Sequence, residues 1–219
     1  ERLAAERESL GLFLSGHPFD QYAEHCRHFT NGSISKVVGA LPSDGGQYRS
    51  RKDISIAGLV MEISRRGNRV SVRLDDNTDR VEVTLFEEAY SQFRHLLTKD
   101  AVLVVEGQLR FDDFLNAWKV TAKTLRSVDE AIEENARRLT IRWTSGSGGQ
   151  EFVHSLRETL QPFTQGQCEV CVEYAGSAAR ASLTLGEGWT VRPTRELRER
   201  LTRLVGQESY SIHYPRHLS

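Results

Sequence analysis

Five arginines, Arg65, Arg66, Arg69, Arg73 and Arg80, fall within one short stretch of a chain whose net charge is only -1. A guanidinium group is permanently charged, planar and able to donate two parallel hydrogen bonds, so several of them on one surface are suited to phosphates. The same residues scattered over a surface are ordinary solvated charge. Lys119 and Lys123 add cations further along the chain. Phe86, Phe111 and Phe114 add rings on which bases can stack, worth about 1–3 kcal/mol per base. Glu82, Asp112 and Asp113 dilute this charge, and residues 51–128 hold 13 basic against 12 acidic side chains. Nucleic-acid binding by this stretch is therefore expected to be modest and salt-sensitive.

Other chemistry is poorly supported. Asp75-Asp76 and Asp112-Asp113 are carboxylate pairs, but both stand at expected turns, where Asp bonds its own backbone. His17-Pro18 reads as a helix stop rather than a catalytic histidine. Cys168 and Cys171 have C-x-x-C spacing within a stretch that alternates with period two. On a strand, positions i and i+3 point to opposite faces, so neither a shared metal nor a disulfide is expected. Three cysteines fit a reducing compartment. Neither a signal-peptide pattern nor an apolar run of about 18 residues occurs, so a cytoplasmic setting without membrane contact is expected. A start at Glu1 inside helical periodicity reads as a piece of a longer chain.

The positions that could meet phosphate must be held by local structure. Residues 2–14 carry Leu3, Leu10 and Phe13 at helical spacing, and a second helix is expected over 19–28. Residues 30–53 are rich in Gly, Ser and Asp, with Gly45-Gly46 as a flexible joint. From residue 53 the period changes to two. Ile54, Ile56 and Val60 alternate with Ala57 and Leu59, which predicts a strand buried on both faces. Ser64–Arg69 reads as a turn and places Arg65, Arg66 and Arg69 in it. Val70, Val72 and Leu74 point inward and Arg73 outward. Asp75–Asp79 is a second turn. Val81, Val83 and Leu85 then point in, with Glu82, Thr84 and Phe86 out. A short helix over 87–97 presents Tyr90, Phe93 and Leu97. Strands over 101–111 and 115–126 follow, joined at Asp112–Phe114. In the last of them, Lys119 and Lys123 oppose Trp118, Val120 and Ala122.

Three strands, a helix and two strands are the element order of a five-stranded OB barrel. Such barrels take single strands across strands two and three, between the loops joining strands one to two and four to five. The expected nucleic-acid-binding set is Arg65, Arg66, Arg69, Arg73, Phe86, Phe111, Phe114, Lys119 and Lys123. In the plainer alternative, Phe111 and Phe114 plug the barrel ends. After a charged connector over 129–138, the pattern β-α-β-β-α-β describes a small α+β domain over 139–219. Its helices are marked by Phe152, Leu156 and Leu160, and by Leu197, Leu201 and Leu204. Thr194 is placed as an N-cap and Gly206 as the C-terminal glycine. The whole is multi-domain, mainly β plus α+β: a helical tail and linker over 1–50, the barrel over 51–128, the connector and the terminal domain.

Four stretches together resemble one family. Glu8–Tyr22 resembles the E-x-x-G-x-x-L-S-x-H-P segment of bacterial replicative DNA polymerase III alpha subunits, Ile56–Val60 their first barrel strand, Leu74–Phe86 an L-x-D-x-T-G-x-x-E-V-x-x-F segment, and Val104–Gly107 their fourth strand. The resemblance spans about residues 5–140. Position alone matches 139–219 to the region that binds the tau subunit of the clamp loader. Two departures stand out: the loop at Ser64–Arg69 is shorter than is usual, and Asp79 stands where Gly is common. The resemblance implies a parent polymerase whose catalytic aspartates and Mg2+ lie in an upstream palm. No position here matches them, so this chain is expected to hold no catalytic residue and no cofactor. It further implies single-stranded DNA and tau as partners, and the sliding clamp through the upstream region. Two alternatives stay open, a purely protein-binding scaffold and an OB module of a tRNA-binding enzyme. The second would favour folded RNA.

Overall fold

The computed structural model describes residues 16–39, 41, 52–144, 149–176 and 179–215. The expected helix over 2–14 and the Gly45-Gly46 joint lie outside them. Two compact units emerge, Glu1–Val128 and Asp129–Ser219.

In the first unit, two short helices, α1 (Asp20–Cys26) and α2 (Ile34–Gly39), precede five strands. β1 (Lys52–Arg66), β2 (Arg69–Asp75), β3 (Arg80–Phe86), β4 (Val102–Asp112) and β5 (Ala117–Ser127) close into a barrel of order β1-β2-β3-β5-β4. All neighbours are antiparallel except β3 and β5, which meet in parallel over Glu82↔Lys119, Val83↔Val120 and Thr84↔Thr121. Inward alternation builds the core from Ile54, Ile56, Val70, Val72, Leu74, Val81, Val83, Leu85, Leu103, Val105, Leu109 and Val120. Each such side chain stabilises by about 1.5–3 kcal/mol on burial. The helix α3 (Glu87–Phe93) plugs one end, with Tyr90, Phe93 and Leu97 against the core. At Gly107, facing a bulge in β5, a Cβ would stand 2.3 Å from the Thr121 carbonyl oxygen, so only glycine lets β4 and β5 approach there.

Over residues 54–60 β1 is buried on both faces, as its sequence requires, because the segment carrying α1 and α2 covers its outer side. Asn31 N–H donates to the Ser55 carbonyl at 2.8 Å, and Ser55 N–H donates back to Asn31 Oδ1 at 2.6 Å. α2 corrects the expectation of irregular chain over 30–53. Its first amide, Ile34 N–H, donates to Asp76 Oδ2 at 2.7 Å, and Ile34 is fully buried. Asp76 Oδ1 meanwhile accepts from the amides of Thr78 and Asp79. Asp75 contacts Arg80 Nε at 2.7 Å and His17 Nε2 at 3.4 Å. The Asp75–Asp79 turn is thus a clasp for the segment before the barrel.

A second correction concerns Arg65, Arg66 and Arg69. β1 runs on to Arg66 and β2 begins at Arg69, leaving only Gly67 and Asn68 as the turn. Gly67 has φ +58, the first-position geometry for which a two-residue hairpin turn takes glycine.

In the second unit, α4 (Val128–Asn135) covers most of the expected connector. Ala131, Ile132 and the following Ala136 are buried beneath its charged face. β6 (Arg138–Thr144), α5 (Gly149–Leu160), β7 (Thr164–Ala175), β8 (Arg180–Thr184), α6 (Arg195–Val205) and β9 (Tyr210–His213) follow. The sheet order is β8-β7-β6-β9. Trp143 stacks on Phe152 at 5.0 Å and meets Tyr174 edge-on, tying α5 to β6 and β7. Thr194 Oγ1 accepts from Leu197 N–H at 3.2 Å as the N-cap, and Gly206 ends α6 with φ +86. Cys168 and Cys171 are buried free thiols, and Cys171 Sγ lies 3.2 Å from Ser182 Oγ of β8. Among the described residues, no helix is long and apolar enough to cross a membrane.

Candidate nucleic-acid interface

Strand register sorts the outward side chains of β1, β2, β3 and β5 into three rows. The first is Arg66, Arg69 and Phe86, which are cross-strand partners in turn. The second is Ser64, Ser71 and Thr84, short hydroxyl side chains two residues further along each strand. The third is Glu62, Arg73, Glu82 and Lys119, with Arg110 beside Lys119 on β4. Long side chains on both sides of a short middle row make a groove. Its volume is about 590 Å³, and Asp112 and Leu115 complete the lining.

The two walls differ electrically. In the first row, the Arg69 guanidinium lies 5.4 Å from the centre of the Phe86 ring, which is 42% exposed. Among the described residues, neither Arg66 nor Arg69 has a carboxylate partner. The third row is an ion-pair ladder of alternating sign. Arg73 meets Glu62 at 3.3 Å. Lys119 Nζ meets Glu82 at 2.8 Å and Asp112 at 3.5 Å, with its side chain only 11% exposed. A buried ammonium persists only when paired in this way. The Lys119 ammonium holds the Glu82 carboxyl below the usual carboxylate range, against a burial that pushes it up. Asp112 is also held low, first by the Leu115 amide. Arg110 is the exception in this wall: its Nε is buried without a hydrogen-bond partner among the described residues.

Of the expected set, Arg66, Arg69, Arg73 and Lys119 line the groove and Phe86 stands beside Arg69 without lining it, while the remaining candidates lie elsewhere. Arg65 points to the other side of its strand, where its guanidinium lies 5.3 Å from the Tyr90 ring centre. Lys123 is paired with Asp53 at 2.7 Å, outside the groove. Phe111 packs edge-on against Trp118 at 5.3 Å and does not line the groove. Phe114 is 95% exposed on the β4–β5 turn and does not line the groove, whereas its neighbour Leu115 does. Arg110 and Glu62 escaped the sequence reading. The signal for Arg110 was present, since Leu103, Val105 and Leu109 alternate inward and Arg110 follows on the outward phase.

Three carboxylates of the two pairs are engaged in local structure. Asp75 and Asp76 form the clasp, and Asp112 accepts from the amides of Phe114 and Leu115, both at 3.1 Å.

Residues 155–206 match the family described as DNA polymerase III subunit alpha, C-terminal domain, and residues 54–127 match the OB-fold nucleic acid binding domain. The DNA polymerase III subunit alpha of Escherichia coli O157:H7 is 37% identical over 213 residues, covering 97% of this chain and 18% of that protein. That of Vibrio cholerae serotype O1 is 36% identical over 214 residues, covering 97% of this chain and 18% of that protein. That of Pseudomonas aeruginosa is 31% identical over 219 residues, covering 98% and 18%. The chain thus spans about a fifth of the length of the curated relatives it matches. Among solved structures, asparaginyl-tRNA synthetase from Pyrococcus horikoshii aligns at 20% identity over 36% of this chain and 20% of that chain, with a TM-score of 0.33. A replication protein A heterotrimer bound to ssDNA aligns at 20% identity over 34% and 56%, with a TM-score of 0.30.

Proposed function

We propose, from the premise that this chain is a homologue of the C-terminal region of bacterial DNA polymerase III alpha subunits, that its barrel guides single-stranded template DNA. The observation that carries this reading is that Arg66 and Arg69, without carboxylate partners among the described residues, line one wall of the groove beside the exposed Phe86 ring. Phosphates then lie on the guanidinium wall and a base meets the ring. The polymerising aspartates and their Mg2+ belong to the upstream part of the parent chain, and this part contributes binding alone. The groove's carboxylates, Glu62, Glu82 and Asp112, are held in ion pairs, which supports that division.

The second unit is the tether to the tau subunit of the clamp loader. Support comes from β8, a sheet-edge strand whose five residues are all exposed, with Leu183 62% exposed. An edge with no further strand beside it among the described residues, carrying an exposed apolar side chain, suits a protein partner that adds a strand.

Fluorescence anisotropy of a labelled oligothymidylate at two salt concentrations tests the first part. Saturable binding is expected, weakening with salt. Arg66→Ala and Arg69→Ala should each lower affinity and make the log–log salt slope shallower by about 0.7 for every phosphate no longer neutralised. Arg65→Ala should leave both unchanged. Absence of saturable binding would leave the barrel as a protein-binding scaffold. For the second part, Leu183→Arg should weaken tau capture, and retained capture places that interaction elsewhere.

A further inference from the structure

The ladder wall of the groove holds Arg73 and Lys119 against Glu62, Glu82 and Asp112. We propose that these carboxylates are built-in competitors for bound phosphate, so that a single strand engages Arg73 and Lys119 only by displacing them. The inference rests on the reading of the groove as a single-strand site and concerns how tightly that site holds its ligand.

The register dictates the arrangement. Glu62, Arg73, Glu82 and Lys119 are successive cross-strand neighbours, so each interior cation has a carboxylate within ion-pairing distance. Glu82 Oε1 accepts from Lys119 Nζ and also from Ser71 Oγ at 3.2 Å, which fixes the carboxylate over the groove floor. A phosphate entering this wall meets like charge first and must break an existing pair to gain a new one. A phosphate at Arg66 or Arg69 meets neither obstacle. The strand is therefore confined to the guanidinium wall, and two of the groove's cations are withheld. Fewer neutralised phosphates mean a shallower salt dependence and faster release than the cation count suggests. That suits a strand that must keep moving.

The test uses the whole chain and a fluorescein-labelled oligothymidylate, titrated at two salt concentrations. Glu62→Gln, at an exposed pair, should leave thermal melting nearly unchanged, and Glu82→Gln, which can still accept a hydrogen bond from Lys119 while Asp112 keeps the charge paired, should lower it without unfolding the barrel. Asp53→Asn is the control: it neutralises a carboxylate paired with Lys123 outside the groove. Each glutamine variant is expected to bind about three- to tenfold tighter, the range for freeing one partly exposed ion pair and removing a like charge. Its salt slope should steepen by about 0.7 for each phosphate newly engaged. Asp53→Asn should change neither quantity. Binding by the unmodified chain that Glu62→Gln and Glu82→Gln leave equal or weaker overturns the inference alone. Equal tightening by Asp53→Asn also overturns it, since overall charge would then be the cause. No saturable binding by any chain removes the single-strand reading and this inference together. Binding that appears only in the glutamine variants supports it.

Discussion

Lys119 is held between Glu82 and Asp112, so its charge serves the barrel before it serves any ligand. Lys119→Ala would leave Glu82 half-buried and unpaired, costing about 1–3 kcal/mol at neutral pH. The pH dependence has a definite sign. The Glu82 carboxyl is held below its usual range in the folded state. Its contribution is therefore fully present above the unfolded value of about 4.3 and lost as pH falls through the lower folded value. Chemical denaturation should show the gap between unmodified chain and Lys119→Ala closing below about pH 4. The thiols run the other way. Burial pushes Cys26 and Cys168 up to about 12. Their contribution is present below an unfolded value of about 8.5 and declines as pH rises toward the folded value. Neither should react with iodoacetamide at about pH 8 in the folded chain, and both should on unfolding, as mass spectrometry would show. At this scale the sequence told which side chains face outward but not which are free. Lys119 and Glu82 are 37 positions apart, and only barrel closure in parallel makes them neighbours.

Among the elements, the clasp at Asp75–Asp79 makes the sharpest prediction. Asp76→Ala removes the acceptor for Ile34, Thr78 and Asp79 amides at once. Leaving the buried Ile34 donor and two part-buried ones unsatisfied should cost about 1–3 kcal/mol, and hydrogen exchange should speed up selectively over Ile34–Gly39. At Gly107, alanine should destabilise by about 2 kcal/mol or more because the obstacle is backbone, measurable as a lowered Tm. The barrel strands were legible because their inward faces alternate. α2 was not, because its first amide is capped by Asp76, 42 positions away. The Arg65–Arg69 hairpin was misread for a related reason. From Ile63 onward, β1 extends past the core with exposed side chains on both faces, so apolar periodicity is silent there. The small second domain was readable from its helix stripes and the Thr194 cap, since both are local signals.

For the molecule as a whole, near-neutral charge does not oppose a nucleic-acid role, because register separates free guanidinium groups from self-paired ones that composition counts alike. The barrel is closed by a single short seam, the three residue pairs between β3 and β5. That seam lies directly under the groove, and its Glu82–Lys119 pair is also part of the groove wall. A strand that displaced this pair would loosen the seam, so confinement to the guanidinium wall also keeps the cylinder shut. Occupancy and mechanical resistance are thereby kept apart: a barrel holding its ligand should be no easier to pull open than an empty one.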